Sequence, residues 1–315
     1  DVMAQPSFQG QVGDADIKLL RVFKTVVECG GFTAAEAELG LARSTISTHI
    51  ANLETRLGLR LCERGRGGFA LTEEGRLVFQ EVVRLMTALD SFRAQVSTAQ
   101  RRLVGEFNLA IIDGILTLPE IPISETLSRF RAKAPDVHIT ISVLSTDEME
   151  RRLLDGTVHL AFCAMHRPKS GLAYSHVAKE VQSVYCGRLH PLYSKPDELI
   201  GLEDLTRPDY VGRTFQDTLR TREKPFRTGP AASANNLEAI LILLQTGRYL
   251  GLMPDQCAAP WVAAGQIRAL RPDLTRVEQD FALVTRDTKR PAPVIEAFQK
   301  TYREEVSKQN AAQMA

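Results

Sequence analysis

Hydroxyl side chains are concentrated in one short segment that the spacing of its apolar residues predicts to be a helix. Ile46, Ile50, Leu53 and Leu57 recur at intervals of four, three and four, which places them on one helical face. Serine and threonine are mediocre helix formers, so their density here favours hydrogen bonding to an external partner over helix stability. The polar residues away from the apolar face are Ser44, Thr45, Ser47, Thr48 and Asn52.

Arginines surround this segment. Arg43 directly precedes it, and Arg64 and Arg66 lie in a glycine-rich turn between two short apolar stretches. That pattern predicts a β-hairpin with cations at its tip. A solvated surface loop is one interpretation, and contact with phosphate groups, beside a hydroxyl-rich helix, is the other.

The flanking elements predict a helix-turn-helix. A first helix begins near Asp16 and stops at Gly30 and Gly31, after which Thr33 and Glu36 match a capping box for a second helix that Gly40 ends. A tight turn then leads into the third helix, Ser44 to Leu57. The sequence therefore predicts that this third helix reads double-stranded DNA from the major groove.

A long helix follows, opened by a capping signal at Thr72. An apolar stripe runs along it at alternating spacings of four and three, and such a stripe needs a partner helix. The simplest partner is the same helix of a second chain, which would form a homodimer, and packing within the monomer is the alternative. The stripe residues assigned to the dimer seam are Val78, Val82, Leu85, Leu89, Phe92 and Val96.

Beyond Gly105 the pattern alternates between short apolar runs and helical periods. Strands are predicted at Phe107 to Ile112, Val137 to Leu144, Val158 to Phe162 and Val181 to Gly187, with further strands later. A strong helix is predicted at Leu237 to Gln245. This alternation indicates an α/β domain with a mostly parallel sheet.

Composition leaves DNA binding open. The 315 residues are enough for two or more domains, and with 24% charged residues but a net charge of only +1, any basic footprint must be local. No window is long and apolar enough for a membrane helix, and the first residues do not resemble an export signal, so the cytoplasm is the expected compartment.

Catalytic and metal-binding patterns are weak. The chain has no G-x-S-x-G, glycine-rich phosphate loop or H-E-x-x-H, and His159 reads better as a core-edge residue than as a base. Five cysteines form no Cys-x-x-Cys pair, so neither a metal nor a cofactor is predicted. A redox switch between Cys163 and Cys186 is kept as an alternative sensor.

The segment from Phe32 to Gly75, FTAAEAELGLARSTISTHIANLETRLGLRLCERGRGGFALTEEG, resembles the LysR-type transcriptional regulators almost position by position. Weaker landmarks follow, including Gly156 before the VHLAF strand and the run QTGRYLGLMP. Cys62 departs from the phenylalanine usual in that family, and Tyr249 stands where a second glycine is common.

The resemblance implies a multidomain protein, α in its N-terminal part and α/β in its C-terminal part. A winged helix-turn-helix is expected at 14–72, a dimerisation linker helix at 73–104 and an effector-binding domain at 105–305. That domain is expected to have two lobes, similar to those of periplasmic binding proteins. One lobe is expected to contain about 105–178 together with 275–305, and the other about 179–274. The chain is expected to cross between the lobes near Lys179 and to return near Thr275. A homodimer, assembled into a dimer of dimers, is implied. A stand-alone periplasmic binding protein would leave the first hundred residues unexplained.

The resemblance also implies an effector of unknown identity between the lobes, at the carboxyl ends of strands. Carried over residue by residue, it points to Asp113, Gly114, Ile115 and Thr117, to Ser145, Thr146 and Met165, and to Thr214 and Phe215. Asp113 would repel an anionic effector, so either the ligand carries a donor such as an amine or hydroxyl, or Asp113 caps the next helix.

Overall fold

The computed structural model describes residues 12–65, 68–99, 103–165, 167–206, 209–213, 230–289 and 291–314. The chain divides into two compact units. The first runs up to Arg93, and the second holds nearly all of the chain from Ala94 onward.

The N-terminal unit contains three helices, a hairpin and the beginning of a long helix. Its core is formed by α1, α2 and α3 around Phe23, Val26 and Ile50, all of which are fully or almost fully buried. The elements are α1 (Asp14–Glu28), α2 (Phe32–Leu39), α3 (Arg43–Leu57), β1 (Cys62–Gly65), β2 (Gly68–Leu71) and α4 (Glu73–Ala99).

Glycines end the second and third helices of this unit. Gly40 and Gly58 adopt left-handed backbone conformations directly after α2 and α3, where a side chain would be strained. Gly75 is required for another reason, because a Cβ atom there would lie 2.0 Å from the carbonyl oxygen of Leu61. The start of α4 is thereby held directly against the strand that opens the hairpin.

The C-terminal unit is built on one mixed sheet. Its strands lie in the order β4-β3-β5-β11-β6-β9-β7-β8, and β10 pairs with β6. The strands are β3 (Val104–Ile111), β4 (Asp136–Val143), β5 (Leu160–Ala164), β6 (Leu172–Gly187), β7 (Tyr210–Arg213), β8 (Ala232–Ala234), β9 (Leu250–Pro254), β10 (Ile267–Ala269) and β11 (Val277–Arg286).

The sheet has two halves, one containing β3, β4 and β5 and the other containing β7, β8 and β9, and helices cover both of them. Asn236 caps α8 by accepting a hydrogen bond from the backbone of Ala239 at 2.8 Å, which explains why that helix begins where it does. The helices are α5 (Ile123–Lys133), α6 (Thr146–Asp155), α7 (Leu202–Leu205), α8 (Leu237–Gln245), α9 (Asp255–Ala263), α10 (Pro272–Thr275) and α11 (Pro293–Met314).

The long strands β6 and β11 run through both halves of the unit. They are antiparallel to each other, and β6 is also antiparallel to β9, whereas β3 is parallel to β4 and to β5. The prediction of a mostly parallel sheet is therefore wrong, because the connections between the halves run as extended strands within the sheet itself. One half has its core around Phe107, Phe130 and Phe298, and the other has separate cores.

Candidate functional site

Most of the predicted DNA-reading residues lie on the exposed surface of α3. Ile46, Ile50 and Leu53 bury the opposite face in the unit core, so the helix is anchored by its apolar side. Ser47 is half-buried, and the hydroxyl of Thr48 donates to the backbone carbonyl of Ser44 at 3.0 Å while keeping its lone pairs for another donor. The exposed residues of the predicted set are Arg43, Ser44, Thr45, Thr48 and Asn52.

The turn between α2 and α3 is organised differently from the prediction. Thr33 does not cap α2, because the helix already begins at Phe32 with Gly31 as its N-cap residue. Glu36 does not complete a capping box either, and its carboxylate instead accepts from the backbone N–H of Arg43 at 2.6 Å. Glu36 therefore fixes the start of the recognition helix, a role that the helical periodicity did not reveal.

Two carboxylates position α3 within its unit. Asp16 accepts from the guanidinium of Arg56 at 2.9 Å, which joins α1 to α3. The backbone N–H of Gly13 holds the pKa of Asp16 below its usual value, with Arg56 adding to the effect. Glu54 accepts from the backbone N–H of Leu61 at 2.8 Å and so places the strand that leads into the hairpin.

The hairpin forms as the glycine-rich pattern predicted. β1 and β2 are antiparallel, with Arg64 opposite Phe69 and Gly65 opposite Gly68. This register places Arg64 next to the turn. Arg66 lies outside the described residues.

The apolar stripe of α4 is only partly available to a second chain. Val82 is 3% exposed and belongs to the core of its own unit, and Val78, Leu85 and Leu89 pack against that core. Phe23 and Phe79 make an edge-to-face contact with ring centroids 6.3 Å apart. Phe92, by contrast, is 65% exposed and Val96 is also exposed. Val82 therefore packs within its own unit, where α4 contacts α1, and the assignment of the whole stripe to a dimer seam stays a prediction.

In the C-terminal unit, Asp113 links the two halves. It follows β3 in one half, forms an ion pair with Arg213 at the end of β7 in the other, and accepts from the backbone N–H of Leu237 at 2.6 Å. Asp113 therefore does bind a helix N-terminus, but that helix is α8, not the next helix along the chain. Sequence spacing could not identify a contact across this separation.

The same loop makes a second contact with the other half. The hydroxyl of Thr117 lies 3.1 Å from the Cys257 sulfur on α9. Burial raises the pKa of the Cys257 thiol above its usual value, and the Thr117 hydroxyl offsets part of this effect. Ile115 lies in the core of the first half, so it is not exposed to a ligand in this conformation.

The predicted residues after the next two strands differ in their surroundings. Ser145 accepts from the backbone N–H of Glu148 at 3.3 Å and so caps α6. Thr146 is 3% exposed, yet its hydroxyl has no hydrogen-bond partner among the described residues. The backbone N–H of Met165 donates to the carbonyl of Asp280 at 2.7 Å, and the Met165 carbonyl accepts from the side-chain amide of Gln279 at 3.0 Å. Thr214 and Phe215 lie outside the described residues.

Thr146 and Asp113 share one edge of the sheet. β3 and β4 are parallel neighbours, so the loops that follow them emerge at the same carboxyl edge. Buried hydroxyls normally have a partner, so an exception near the carboxyl edge of a sheet is a candidate ligand contact.

The cysteine alternative conflicts with the geometry. Burial raises the pKa of both Cys163 and Cys186 to about 12, and Glu150 adds to the effect at Cys163. Cys163 on β5 and His176 on β6 both lie opposite Ala282 of β11, the strand between them. Cys186 follows His176 ten residues later in β6, which places it roughly 30 Å further along that strand. A disulfide requires Cα atoms within about 7 Å, so these two thiols cannot pair in this fold.

Neither a metal site nor a membrane-spanning helix is present in the part of the chain that the structure describes. No group of three or more histidine, cysteine, aspartate or glutamate residues there could hold a metal ion. No helix within the described ranges is both long enough and apolar enough to cross a membrane.

Three helices and a hairpin, with a polar face exposed on the third helix, define a winged helix-turn-helix, a class of DNA-binding fold. Residues 17–76 match the family described as "Bacterial regulatory helix-turn-helix protein, lysR family", and residues 100–307 match "LysR substrate binding domain". The chain belongs to the LysR family of transcriptional regulators.

Relatives and solved structures agree with this assignment. The chain is 41% identical over 289 residues to the HTH-type transcriptional activator BauR of Pseudomonas aeruginosa, covering 92% of this chain and 95% of the relative. The crystal structure of CbnR, a LysR family transcriptional regulator, has 21% identity and a TM-score of 0.63, covering 92% of this chain and 99% of CbnR. CbnR with its target DNA has 22% identity and a TM-score of 0.59, with 91% and 99% covered. These two structures share the fold.

The protein is thus a DNA-binding transcriptional regulator with a substrate-binding domain, and not an enzyme.

Proposed function

We propose that binding of this regulator to promoter DNA is modulated by a small molecule held between the two halves of the C-terminal unit. The observation that carries the proposal is the buried hydroxyl of Thr146 at the start of α6, which has no hydrogen-bond partner within the described ranges. Leaving a buried hydroxyl without a partner costs about 1–3 kcal/mol, and a bound ligand that hydrogen-bonds to it would recover that free energy. The Asp113 loop lies at the same sheet edge.

On the DNA side, the exposed face of α3 supplies the readers. Thr45, Thr48 and Asn52 are suited to hydrogen bonds with base edges or phosphates, and Ser44 lies at the first turn, where backbone N–H groups favour an anion. Arg43 and the hairpin arginines Arg64 and Arg66 would contact phosphate. Such contacts position the protein without reading sequence.

Self-association would use the exposed end of α4. Phe92 and Val96 are apolar and exposed in a helix of 27 residues, which is long enough to pair with a second copy. We propose a homodimer that assembles further into a dimer of dimers, with domains at 14–72, 73–104 and 105–305. We expect it to act in the cytoplasm, where promoter DNA is found.

Ligand binding would act by changing how two DNA-binding units are spaced. Allosteric coupling of this kind is typically worth about 1–3 kcal/mol, or 5- to 150-fold in affinity. Linkage requires that DNA change the affinity for the ligand by the same factor.

The experiment is a footprint titration on the intergenic DNA beside the gene, combined with a thermal-shift screen of small organic acids, amines and sugars. A compound that stabilises the wild type should alter its footprint or DNA bend, and Thr146→Val should weaken binding of that compound. If stabilising compounds leave both footprint and bend unchanged, the proposed modulation is wrong. If Thr146→Val binds them normally, Thr146 is not part of the site.

A further inference from the structure

One loop ties the two halves of the C-terminal unit together through an ion pair. Asp113 lies in the loop after β3, whereas both of its partners, the Arg213 guanidinium and the backbone N–H of Leu237, belong to the other half. The side chains of Arg213 and Asp113 are only 11% and 17% exposed. The pair is therefore shielded from most of the solvent screening that weakens a surface ion pair.

The two partners of Asp113 together have the character of an anion site. A guanidinium binds carboxylates by charge-assisted hydrogen bonds, and free backbone N–H groups at a helix N-terminus attract negative charge. Asn236 already accepts from Ala239 at this N-terminus, so its cap leaves the Leu237 N–H to Asp113. A carboxylate supplied by the opposite half of the unit thus completes the site.

The close approach of this loop depends on a glycine. Gly114 has a left-handed φ of +80°, and a Cβ atom there would lie 2.8 Å from the Leu237 side chain and 3.0 Å from the Cys257 sulfur. Thr117 then contacts the same Cys257. Asp113, Gly114 and Thr117 are therefore held together against the second half, and we refer to residues 113–117 as the tether loop.

We propose that Asp113 is an internal stand-in for a carboxylate carried by the effector. The effector's carboxylate would take the Arg213 guanidinium and the Leu237 N–H, and would displace the tether loop. This inference rests on the proposed function, whose site it specifies by naming both a ligand class and a means of release. It also removes the difficulty of an acidic residue facing an anionic effector, because Asp113 leaves when the effector binds.

The exchange conserves charge at the buried partner. Arg213 pairs with the Asp113 carboxylate before the exchange and with the effector's carboxylate afterwards, so the exchange leaves no unpaired charge at this position, which would be costly. Asp113, already partly exposed, passes into water. Because the tether loop competes with the ligand, the observed affinity equals the intrinsic affinity multiplied by the fraction of molecules in which the tether loop is open.

The test compares full-length wild type with Asp113→Asn, which retains an oxygen acceptor for the Leu237 N–H but carries no charge. The probes are sodium acetate, propionate and succinate, measured by calorimetry and thermal shift at constant ionic strength, with acetamide and propionamide as neutral controls. We expect at least one carboxylate to bind Asp113→Asn tenfold or more tightly than wild type. The amides should not distinguish the two proteins.

Two further variants make the result specific. Arg213→Met should abolish the gain when combined with Asp113→Asn. Asp273→Asn should keep wild-type affinity, because it removes an aspartate that pairs with Arg271 on the surface, remote from the tether loop in sequence. If Asp113→Asn does not fold by circular dichroism, Asp113→Ser provides the same comparison.

Equal carboxylate affinities in wild type and Asp113→Asn would overturn the inference, as would tighter binding of inorganic phosphate than of any carboxylate. Neither result affects the proposed function, which fails only if ligands that stabilise the wild type leave its footprint and DNA bend unchanged. The two failures are thus distinguishable.

Discussion

The polar face of α3 and the loops that follow β3 and β4 carry the two sets of predicted contact residues, and the two sets differ in exposure and in bonding. On α3 most of the predicted contact residues are exposed, and the hydroxyl of Thr48 bonds within its own helix. In the loops of the C-terminal unit, Asp113, Thr117 and Ser145 are all bonded to other residues of the chain, and Thr146 is buried. The contacts of Asp113 and Thr117 join the two halves of the unit.

This difference follows from the size of the partner. DNA presents a large surface, so a preformed and exposed face can meet it without rearrangement. A small ligand has few atoms, and it can shift a conformational equilibrium only by its differential affinity for two states. Contacts between the halves that a ligand can replace provide such a difference.

The largest expected effect separates the two ends of the α4 stripe. Val82→Glu should destabilise the N-terminal unit by on the order of several kcal/mol, because it buries an unpaired charge in that unit's core. Phe92→Glu should leave the stability of the unit unchanged but weaken self-association, because Phe92 is exposed within the chain. Thermal denaturation and sedimentation velocity measure the two effects. A Phe92→Glu protein that sediments like wild type would contradict the dimer proposal.

The next prediction uses one glycine from each unit. An alanine Cβ would stand 2.0 Å from the Leu61 carbonyl oxygen at Gly75, and 1.9 Å from the Leu244 carbonyl oxygen at Gly187. Each alanine variant should lose about 1–3 kcal/mol or more through overpacking, Gly75→Ala in the N-terminal unit and Gly187→Ala in the C-terminal unit.

In calorimetry, Gly75→Ala should therefore lower the unfolding transition of the N-terminal unit, and Gly187→Ala that of the C-terminal unit. Gly75→Ala should also weaken DNA binding. Gly201→Ala is the control, since nothing lies within 4 Å of a Cβ atom there. If both variants lower the same transition equally, the two units do not unfold separately.

A smaller effect distinguishes a structural hydroxyl from one available to a ligand. Thr126 is fully buried and its hydroxyl donates to the Pro122 carbonyl at 2.6 Å, so Thr126→Val should cost about 1 kcal/mol. Thr146→Val should cost nothing or stabilise the unit, because the hydroxyl it removes has no partner among the described residues. Denaturant titration gives both values. A loss of 1 kcal/mol or more in Thr146→Val would show that its hydroxyl has a structural partner.

The smallest expected effect concerns the cysteines. Burial raises the pKa of both Cys163 and Cys186 to about 12, so both thiols stay protonated at pH 7 and neither should react readily in the folded protein. Iodoacetamide should label the half-buried Cys29 and Cys257 first. The double variant Cys163→Ser and Cys186→Ser should change its DNA binding in peroxide to the same extent as the wild type does. Rapid labelling of Cys163 would revive the redox alternative.

Local signals explain what the sequence predicted well. The helix at 237–245 has the predicted bounds, because its apolar spacing and flanking polar residues are contained within the segment. β6 was recognised only in its second half, since its first half mixes exposed and buried residues without a continuous apolar run. The C-terminal helix α11 was not predicted.

Long-range contacts explain the rest. Nothing in the spacing of Asp113 indicates that Arg213 and Leu237 are its partners, because the pairing depends on how the two halves fold against each other. Periodicity also cannot distinguish Val82 packing into its own unit from Val82 packing against a second chain. Thr33 matched a capping motif, but the paired glycines before it let α2 begin earlier.

The division of labour between the two units is tested most directly by operator binding without any ligand. A footprint titration on the intergenic DNA should compare wild type with the double variant Thr45→Ala and Thr48→Ala and with Thr146→Val. The account predicts that the double variant loses about 1–3 kcal/mol for each good base contact removed, whereas Thr146→Val binds DNA like wild type. A Thr146→Val protein that lost as much DNA affinity as the double variant would contradict the account.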